Sequence, residues 1–336
     1  MRDGVSTTSG SNIAALTSLR GIAAMAVVTF HYFGGSAGPL GHGYLGVDLF
    51  FLLSGFVMVH VYQAAPASLK SFYAARFART YPLHLLTLGM LLPAFGRSES
   101  FSAEALLCNL TMTQVVCGAS ESWNSVSWSL SAEWCAYLMF PFVLGPLRRC
   151  PASMAALLAA VCLAVLAAHG SSLAATFGPL ALSRALPEFL LGMVCYRMFQ
   201  AGWFAARGWF GASSAAAAGA VGFGAPDVVA VAAFMVLLLS APRANVLKCR
   251  AFVFLGEISF SLYMVHLLMG VVAMAIVPVA GVGSMMLMAA VACGLSVGFA
   301  TLTYRLVEVP ARKALRSWLD NPRQGAGAGL LAPARR

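Results

Sequence analysis

Two ionisable residues inside the first long apolar stretch of the chain have the types and the spacing to do chemistry. Arg20 and His31 are eleven residues apart, which is about three whole helical turns, so both side chains are expected on one helix face. At a rise of ~1.5 Å per residue, the two positions lie roughly 16 Å apart along the axis. Because an ionisable group within a membrane span is costly, it is by default a functional candidate. A guanidinium can bind an anion, and an imidazole can transfer a proton.

The composition predicts the kind of protein that must hold these two residues. The chain has 336 residues, of which 60% are hydrophobic and 10% are charged, and its mean hydropathy is +0.83. These values exclude a soluble globular domain. About ten stretches reach or approach the ~20 apolar residues that a transmembrane helix needs. The predicted spans are 13–33, 44–63, 79–95, 128–147, 152–168, 177–199, 207–223, 227–241, 252–277 and 284–306. We therefore predict an all-α integral membrane protein with about ten transmembrane helices, the first of which is not a cleaved signal peptide.

The distribution of charge predicts the topology. The net charge of +10 could indicate nucleic-acid binding, but the basic residues concentrate in every second loop, whereas the intervening loops hold only Arg97. By the positive-inside rule, both termini and the basic loops are cytoplasmic, and nucleic acid is not an expected partner. The basic residues of the cytoplasmic loops are Lys70, Arg76, Arg79, Arg148, Arg149, Arg197, Arg207, Arg243, Lys248, Arg250, Arg312, Lys313 and Arg316.

The segments outside the spans are short. We predict a disordered N-terminus over 1–12, a transmembrane domain over 13–316 and a disordered basic tail over 317–336. The long outer loop, 96–127, is expected to hold a short helix near residues 102–110. Cys108 and Cys117 lie in this loop, where an oxidising environment would allow a disulfide, although the two can also be unrelated small residues. The cysteine spacings do not predict a metal site.

The predicted topology gives each span a direction, so the position of a residue along its span indicates its depth in the membrane. By this measure Arg20, Arg76 and Arg79 lie together near the inner face. Planar guanidinium groups bind phosphate through bidentate hydrogen bonds, so this inner layer suits a phosphorylated ligand. The plainer interpretation is that Arg76 and Arg79 are ordinary topology signals at the start of a helix.

A second polar layer is expected near the outer face, where His31 would lie with Asp48, Ser129 and Glu133. A carboxylate beside an imidazole can fix its tautomer and stabilise the charged ring, so this layer suits proton transfer. The plainer interpretation of His31 is an interfacial residue at a helix end.

Other polar residues in the spans have structural interpretations. Arg184 and Glu188 are four residues apart and are expected to pair with each other. His266 is read as a hydrogen-bonding core residue, Trp128 as part of an aromatic belt, and Glu308 as a feature of a helix end.

Six segments of the chain resemble, in order, the motif blocks of the acyltransferase family 3 membrane proteins. This family includes bacterial polysaccharide O-acetyltransferases and macrolide acyltransferases, and the likeness runs from about residue 14 to 312. The segments are LTSLRGIAAMAVVTFHYF (16–33), GYLGVDLFFLLSGFVM (43–58), FYAARFARTYPLHLL (72–86), SVSWSLSAEWCAYLMFP (125–141), SRALPEFLLGMV (183–194) and FLGEISFSLYMVHLLM (254–269).

The resemblance implies ten spans with cytoplasmic termini in a bacterial inner membrane. It also implies transfer of an acyl group, commonly acetyl from acetyl-CoA, to a hydroxyl of a glycan or lipid-linked saccharide, with no metal. Arg20 and His31 are then the essential pair. Arg76 and Arg79 would join Arg20 in binding the acyl-CoA nucleotide from the cytoplasm.

Two mechanisms stay open for His31. It can act as general base on the acceptor hydroxyl, with Asp48 or Glu133 orienting the ring or holding the acceptor, or it can carry the acyl group covalently. The expected substrate-binding residues are Ser54, Trp128, Ser129 and His266. The alternative functions are a multi-span transporter, whose expected paired broken helices are not apparent, and a non-catalytic protein of glycan export.

Overall fold

The computed structural model describes residues 4–33, 41–63, 68–95, 102–117, 122–170, 173–206, 208–278 and 281–320. Within these ranges the chain is helical and has no β-strand, which confirms the all-α prediction. The α-helices are α1 (Gly4–Phe33), α2 (Gly46–Tyr62), α3 (Leu69–Phe95), α4 (Ala103–Leu110), α5 (Gln114–Cys117), α6 (Trp128–Arg149), α7 (Ala152–Ala167), α8 (Gly178–Gln200), α9 (Gly208–Phe223), α10 (Asp227–Ser240), α11 (Arg250–Glu257), α12 (Ser259–Ile276), α13 (Val282–Thr303) and α14 (Val309–Asp320). A π-helical turn, Tyr304–Glu308, joins α13 to α14.

Every stretch predicted to span the membrane coincides with one or two of these helices. Within the described ranges, five segments are long and apolar enough to cross a membrane: Ile13–Phe33, Gly43–Tyr62, Ser125–Arg149, Ser259–Ile276 and Val282–Leu315. Helix α6 contains Pro141 and Pro146, which membrane helices tolerate better than soluble ones. The chain is thus an all-α protein with several membrane-spanning helices, while the count of ten and the cytoplasmic termini stay predictions.

Two helices begin earlier than the sequence analysis predicts. Helix α1 starts at Gly4, inside the segment predicted to be disordered, because extending an established helix costs far less than nucleating one. Helix α3 starts at Leu69 rather than near residue 79. Since residues 69–78 contain no proline or glycine, Arg76 and Arg79 lie within a helix, three residues apart on neighbouring positions of its surface.

The predicted short helix of the outer loop is confirmed as α4. Its first turn is capped by the Ser102 hydroxyl, which accepts a hydrogen bond from the backbone nitrogen of Ala105 at 3.0 Å. Some sequence predictions lie outside the described residues, namely those on residues 1–3, Arg97, Arg207 and the tail from residue 321 onward.

The centre of the fold is a close contact between α2 and α8, where two glycines let the backbones approach. A Cβ atom on Gly55 would lie 2.0 Å from the carbonyl oxygen of Phe189. A Cβ atom on Gly192 would lie 2.0 Å from the carbonyl oxygen of Leu52. Small residues at such contacts allow membrane helices to pack through their backbones. This contact fixes α2, which carries Asp48 and Ser54, against α8.

Replacing Gly192 by Ala should therefore force α2 and α8 apart. Because overpacking a tight contact costs about 1–3 kcal/mol, the thermal unfolding midpoint in detergent, followed by circular dichroism, should fall.

The matched control is Gly89→Ala in α3, where the added Cβ atom meets no atom within 4 Å. That change should leave the midpoint unchanged or raise it slightly, since Ala is favoured over Gly in a helix by roughly 0.5–1 kcal/mol. Equal midpoints for both variants would contradict the close contact.

Candidate anion-binding cavity and histidine pair

Three arginine side chains converge on one cavity of about 100 Å³ within the helical bundle. Helix α1 brings Arg20 to this cavity, and α3 brings Arg76 and Arg79. The charged or hydroxyl-bearing residues of the lining from α2 and α6 are Ser54, Ser129, Glu133 and Tyr137. The three arginines grouped by depth in the sequence thus share one site, and Ser54 and Ser129 lie beside them.

The arginines of the cavity have few internal partners. In the described part of the chain, none of the three forms an ion pair within 4.0 Å. Arg76 contacts the Met58 sulfur and the Tyr62 hydroxyl, both at 3.4 Å. Its guanidinium also lies 5.8 Å from the ring centroids of Tyr62 and Tyr137, and among the described residues its buried Nε atom has no hydrogen-bond partner. Buried donors are normally satisfied, so the unsatisfied Nε and the close cations favour an anionic ligand.

Among the residues that the structure describes, Glu133 is the one carboxylate in the cavity lining. Its Oε1 atom accepts hydrogen bonds from the Ser54 hydroxyl at 2.7 Å and from the Tyr137 hydroxyl at 2.6 Å. Three guanidinium groups and one carboxylate leave the lining with a formal charge of +2. The sequence analysis did not identify Tyr137, although its spacing of four residues from Glu133 places both on one helix face.

His31 forms a hydrogen-bonded pair with His266. The His31 Nδ1 atom lies 3.1 Å from His266 Nε2 and 2.9 Å from the carbonyl oxygen of Val27. The His266 Nδ1 atom lies 2.7 Å from the carbonyl oxygen of Tyr263. His31 is exposed at its end of α1, whereas His266 is fully buried.

These contacts assign the tautomer of both neutral rings. A carbonyl oxygen can only accept, so His266 Nδ1 must donate to Tyr263, and its Nε2 atom then holds a lone pair. The N–H of His31 Nδ1 is shared between that lone pair at 3.1 Å and the carbonyl oxygen of Val27 at 2.9 Å, both of which accept. The assignment follows from the hydrogen-bond network, and it leaves the Nε2 atom of His31 as the basic nitrogen.

The turn of α12 before His266 connects the pair to the cavity. Tyr263 and Met264 line the cavity, and Tyr263 also carries the carbonyl group that holds His266. The Tyr263 hydroxyl lies 2.8 Å from the Ser129 hydroxyl, and Asn124 donates to the carbonyl oxygen of Met264 at 2.9 Å. The backbone that orients His266 is therefore anchored to the start of α6.

Asp48 does not join His31 in the expected outer layer. Its carboxylate oxygens accept hydrogen bonds from Arg184 Nε and Nη2 at 2.9 and 2.6 Å, and both side chains are buried. Glu188, the partner predicted for Arg184 from the sequence, also pairs with it, at the longer distance of 3.9 Å. The closer pair forms because a buried carboxylate requires a cation in good geometry, and the α2–α8 contact provides it.

The residues that the sequence predicts to form one outer layer lie at separate places in the structure. Glu133 and Ser129 lie in the arginine cavity, and His266 lies beside His31. Trp128 is absent from the cavity lining, and its ring packs instead against the Arg184 guanidinium at 5.3 Å.

Two structural interpretations from the sequence also need correction. Trp128 is only 5% exposed, so it is a core residue rather than part of an interfacial belt. Glu308 is buried in the π-helical turn, where it accepts a hydrogen bond from Ser261 at 3.0 Å and pairs with Arg312 at 3.4 Å. The sequence offered no periodic signal for a π turn, because its extra residue breaks the helical spacing.

Comparison with known proteins gives one family for most of the chain. Residues 13–305 match the family model described as the acyltransferase domain. No solved structure matches the chain.

Two curated proteins are similar to the chain. The acyltransferase MdmB of Streptomyces mycarofaciens is 32% identical over 267 residues, which cover 67% of each protein. Protein 2 in the picA locus of Rhizobium radiobacter is 40% identical over 87 residues, which cover 24% of this chain and 44% of that protein. The resemblance indicated by the six sequence motifs is thus confirmed.

Replacing Asp48 by Asn should destabilise the protein, because it removes the closer counterion of the buried Arg184 and leaves it only Glu188 at 3.9 Å. Breaking a buried ion pair from one side costs about 3–5 kcal/mol. The thermal unfolding midpoint in detergent should therefore fall.

The control is Glu104→Gln, which alters an exposed carboxylate on α4. Surface changes of this kind usually stay within about 0.5 kcal/mol. The buried pair would lose its structural role if Asp48→Asn unfolded at the same temperature as this control.

Proposed function

Because the chain belongs to the acyltransferase domain family, we propose that it is a membrane-embedded O-acyltransferase that takes an acyl group from cytoplasmic acyl-CoA. The group, acetyl in the simplest case, passes to a hydroxyl of a glycan or lipid-linked saccharide. The proposed location is the cytoplasmic membrane of a bacterium. The observation that carries the proposal is the arginine cavity, which lies in the same bundle as an oriented histidine.

The cavity supports a polyanionic donor. Phosphate groups bind arginine through charge-assisted, bidentate hydrogen bonds, and Arg20, Arg76 and Arg79 offer guanidinium groups without competing carboxylate pairs. In the predicted topology this side of the bundle faces the cytoplasm, where acyl-CoA is made. Neutral ligands would leave the excess charge of the lining uncompensated.

Helix α1 supports the route from the donor site to the histidine. Arg20 and His31 are separated by roughly 16 Å along the helix, which is comparable with an extended pantetheine arm. The cavity of about 100 Å³ is smaller than the roughly 300–1,000 Å³ of usual ligand pockets. Donor binding therefore requires side chains such as Phe50 and Met264 to move.

The chemistry that we propose for His31 is general-base catalysis. Its Nε2 atom takes the proton of the acceptor hydroxyl while the oxygen attacks the thioester carbonyl carbon. The carbon–sulfur bond then breaks, and the imidazolium returns the proton to the departing thiolate, giving the ester and free CoA. The exposed position of His31 allows an acceptor to reach it from outside the bundle.

His266 is proposed as a positioning residue for His31. Its Nε2 lone pair shares the His31 Nδ1–H with the Val27 carbonyl oxygen, and this keeps the opposite nitrogen free to act as base. The same hydrogen bond persists when His31 becomes protonated, so it stabilises the transient charge of the ring. Asp48, bound to Arg184, is not needed for this task.

Replacing Arg20 or Arg79 by Ala should weaken binding of acetyl-CoA, because a hydrogen bond to a charged group contributes about 1.5–3 kcal/mol. The dissociation constant, measured calorimetrically with purified protein, should rise about ten- to a hundredfold. Replacing His31 by Ala should leave this constant unchanged. In membrane vesicles from producing cells, it should lower transfer of radiolabelled acetyl from acetyl-CoA by about 10²–10⁴-fold.

The matched control for the arginines is Arg149→Ala, an exposed cation of α6 that does not line the cavity. It should bind acetyl-CoA as the unchanged protein does. Transfer that survives in His31→Ala would contradict the assignment of the base. Acyl-His31 trapped with acetyl-CoA alone would replace direct transfer with a covalent mechanism, and transport without release of the thiol would indicate a transporter.

Replacing His266 by Leu should reduce turnover with little change in the KM for acetyl-CoA. The lost hydrogen bond between neutral groups contributes about 0.5–1.5 kcal/mol, so kcat should fall by up to about tenfold. His266→Gln, which restores an acceptor, should recover most of the activity. Equal losses in both variants would contradict a positioning role, and a change confined to KM would indicate substrate contact instead.

A further inference from the structure

Two cysteines of the outer loop are brought together by consecutive turns of the backbone. The backbone nitrogen of Thr113 donates to the carbonyl oxygen of Cys108 at 2.9 Å, and that of Cys117 donates to the carbonyl oxygen of Thr113 at 2.9 Å. These turns fold α5 back toward the end of α4, which brings Cys117 near enough to Cys108 to raise the pKa of the Cys108 thiol. The Thr113 hydroxyl also lies 3.1 Å from the Cys117 sulfur.

We propose that Cys108 and Cys117 are joined by a disulfide bond in the protein as it exists in the cell. The bond would form on the outer side of the membrane, where the charge distribution places the loop and where disulfides persist. The sequence left this pairing open, and the backbone turns that bring the two residues near each other now favour it. The proposal does not depend on the acyltransferase chemistry.

Cys108 and Cys117 differ from the other cysteines in where they lie along the chain. Of the eight cysteines in the chain, the remaining six lie in or beside helices predicted to span the membrane. Cys162 and Cys195 are near enough to interact, but both are buried between helices, where a water-borne oxidant does not reach them. Access from water is a requirement for thiol–disulfide exchange.

Because the two thiols differ in exposure, they react in a defined order when the disulfide forms. Cys117 is exposed and Cys108 is buried, and burial together with the neighbouring thiol raises the pKa of Cys108 to about 11. The Cys117 thiolate therefore attacks first, at the disulfide of an oxidising protein, and forms a mixed disulfide with it. Cys108 then displaces that protein, so two electrons and two protons leave the cysteines and the oxidant departs as a dithiol.

The bond would secure a cap over the outer end of α6. The α4–α5 segment is tied to α3 by the contact of His84 Nε2 with the carbonyl oxygen of Asn109 at 2.7 Å. It is tied to α6 by the backbone nitrogen of Val115, which donates to the Ser131 hydroxyl at 3.2 Å. Closing the short loop between the cysteines restricts the unfolded segment and so favours the arrangement that anchors the start of α6.

The test uses full-length protein prepared from membranes without reductant, after acid quenching and blocking of free thiols with N-ethylmaleimide. Cleavage after Glu104 and Glu121 releases the peptide 105–121, which contains Cys108 and Cys117 but not Cys135. The expected peptide carries no maleimide and is lighter by two hydrogen atoms than the reduced form. A peptide that carries two maleimide groups would overturn the proposal.

Single variants keep the test interpretable if one of them fails to fold. Cys117→Ser, at the exposed position, should leave Cys108 free, so that the peptide takes up one maleimide after denaturation. Cys249→Ser, an exposed cysteine outside the loop, is the matched control and should leave the cross-linked peptide unchanged. A reductant should lower the thermal unfolding midpoint of the unchanged protein but not that of Cys117→Ser, and equal shifts would overturn the stabilising role.

Discussion

The constraint that shapes this protein is the cost of holding charge inside an apolar bundle. A buried ion must be paired, hydrogen-bonded or exposed to a polar cavity, since its desolvation otherwise costs several kcal/mol. Arg184 meets this requirement with Asp48 at 2.6 Å. Arg20 and Arg79 meet it differently, because they face a cavity instead of a counterion. The protein thus contains an arginine with a close counterion and a group of arginines that face a cavity.

The two kinds of site depend on the same framework. The α2–α8 contact at Gly55 and Gly192 holds Asp48 against Arg184, and it also sets the position of Ser54, which donates to Glu133 in the cavity. A single helix, α1, supplies both Arg20 and His31. Because a helix is stiff over three turns, the distance between the anion site and the basic nitrogen is fixed by covalent geometry rather than by loops.

The sequence predicted the helical fold and the arginine group well because both depend on local, periodic signals. Apolar stretches mark the helices, and the residues of one helix face follow from spacing alone, as for Arg20 and His31. Partners across helices depend on rotation and crossing angle, which one sequence does not encode locally. The predicted membrane depth of Asp48 matches that of His31, so the sequence analysis grouped the two residues. The rotation of α2 about its own axis instead directs the Asp48 carboxylate to Arg184. For the same reason His266, 235 residues from His31, could be placed in depth but not identified as its partner.

The side chain beside His31 is the neutral imidazole of His266 and not the carboxylate that the sequence predicted. This difference has a chemical consequence. A carboxylate in a bundle of low dielectric constant would attract a proton to the His31 ring and hold it there as an ion pair, and a protonated ring cannot accept a proton from a hydroxyl. A neutral His266 orients the ring without that attraction, and its own proton is directed to the carbonyl oxygen of Tyr263. In the proposed mechanism, this arrangement keeps a free lone pair on His31 and stabilises the charge of the ring once the proton is transferred. The pairing of Asp48 with Arg184 is what keeps its negative charge away from this nitrogen.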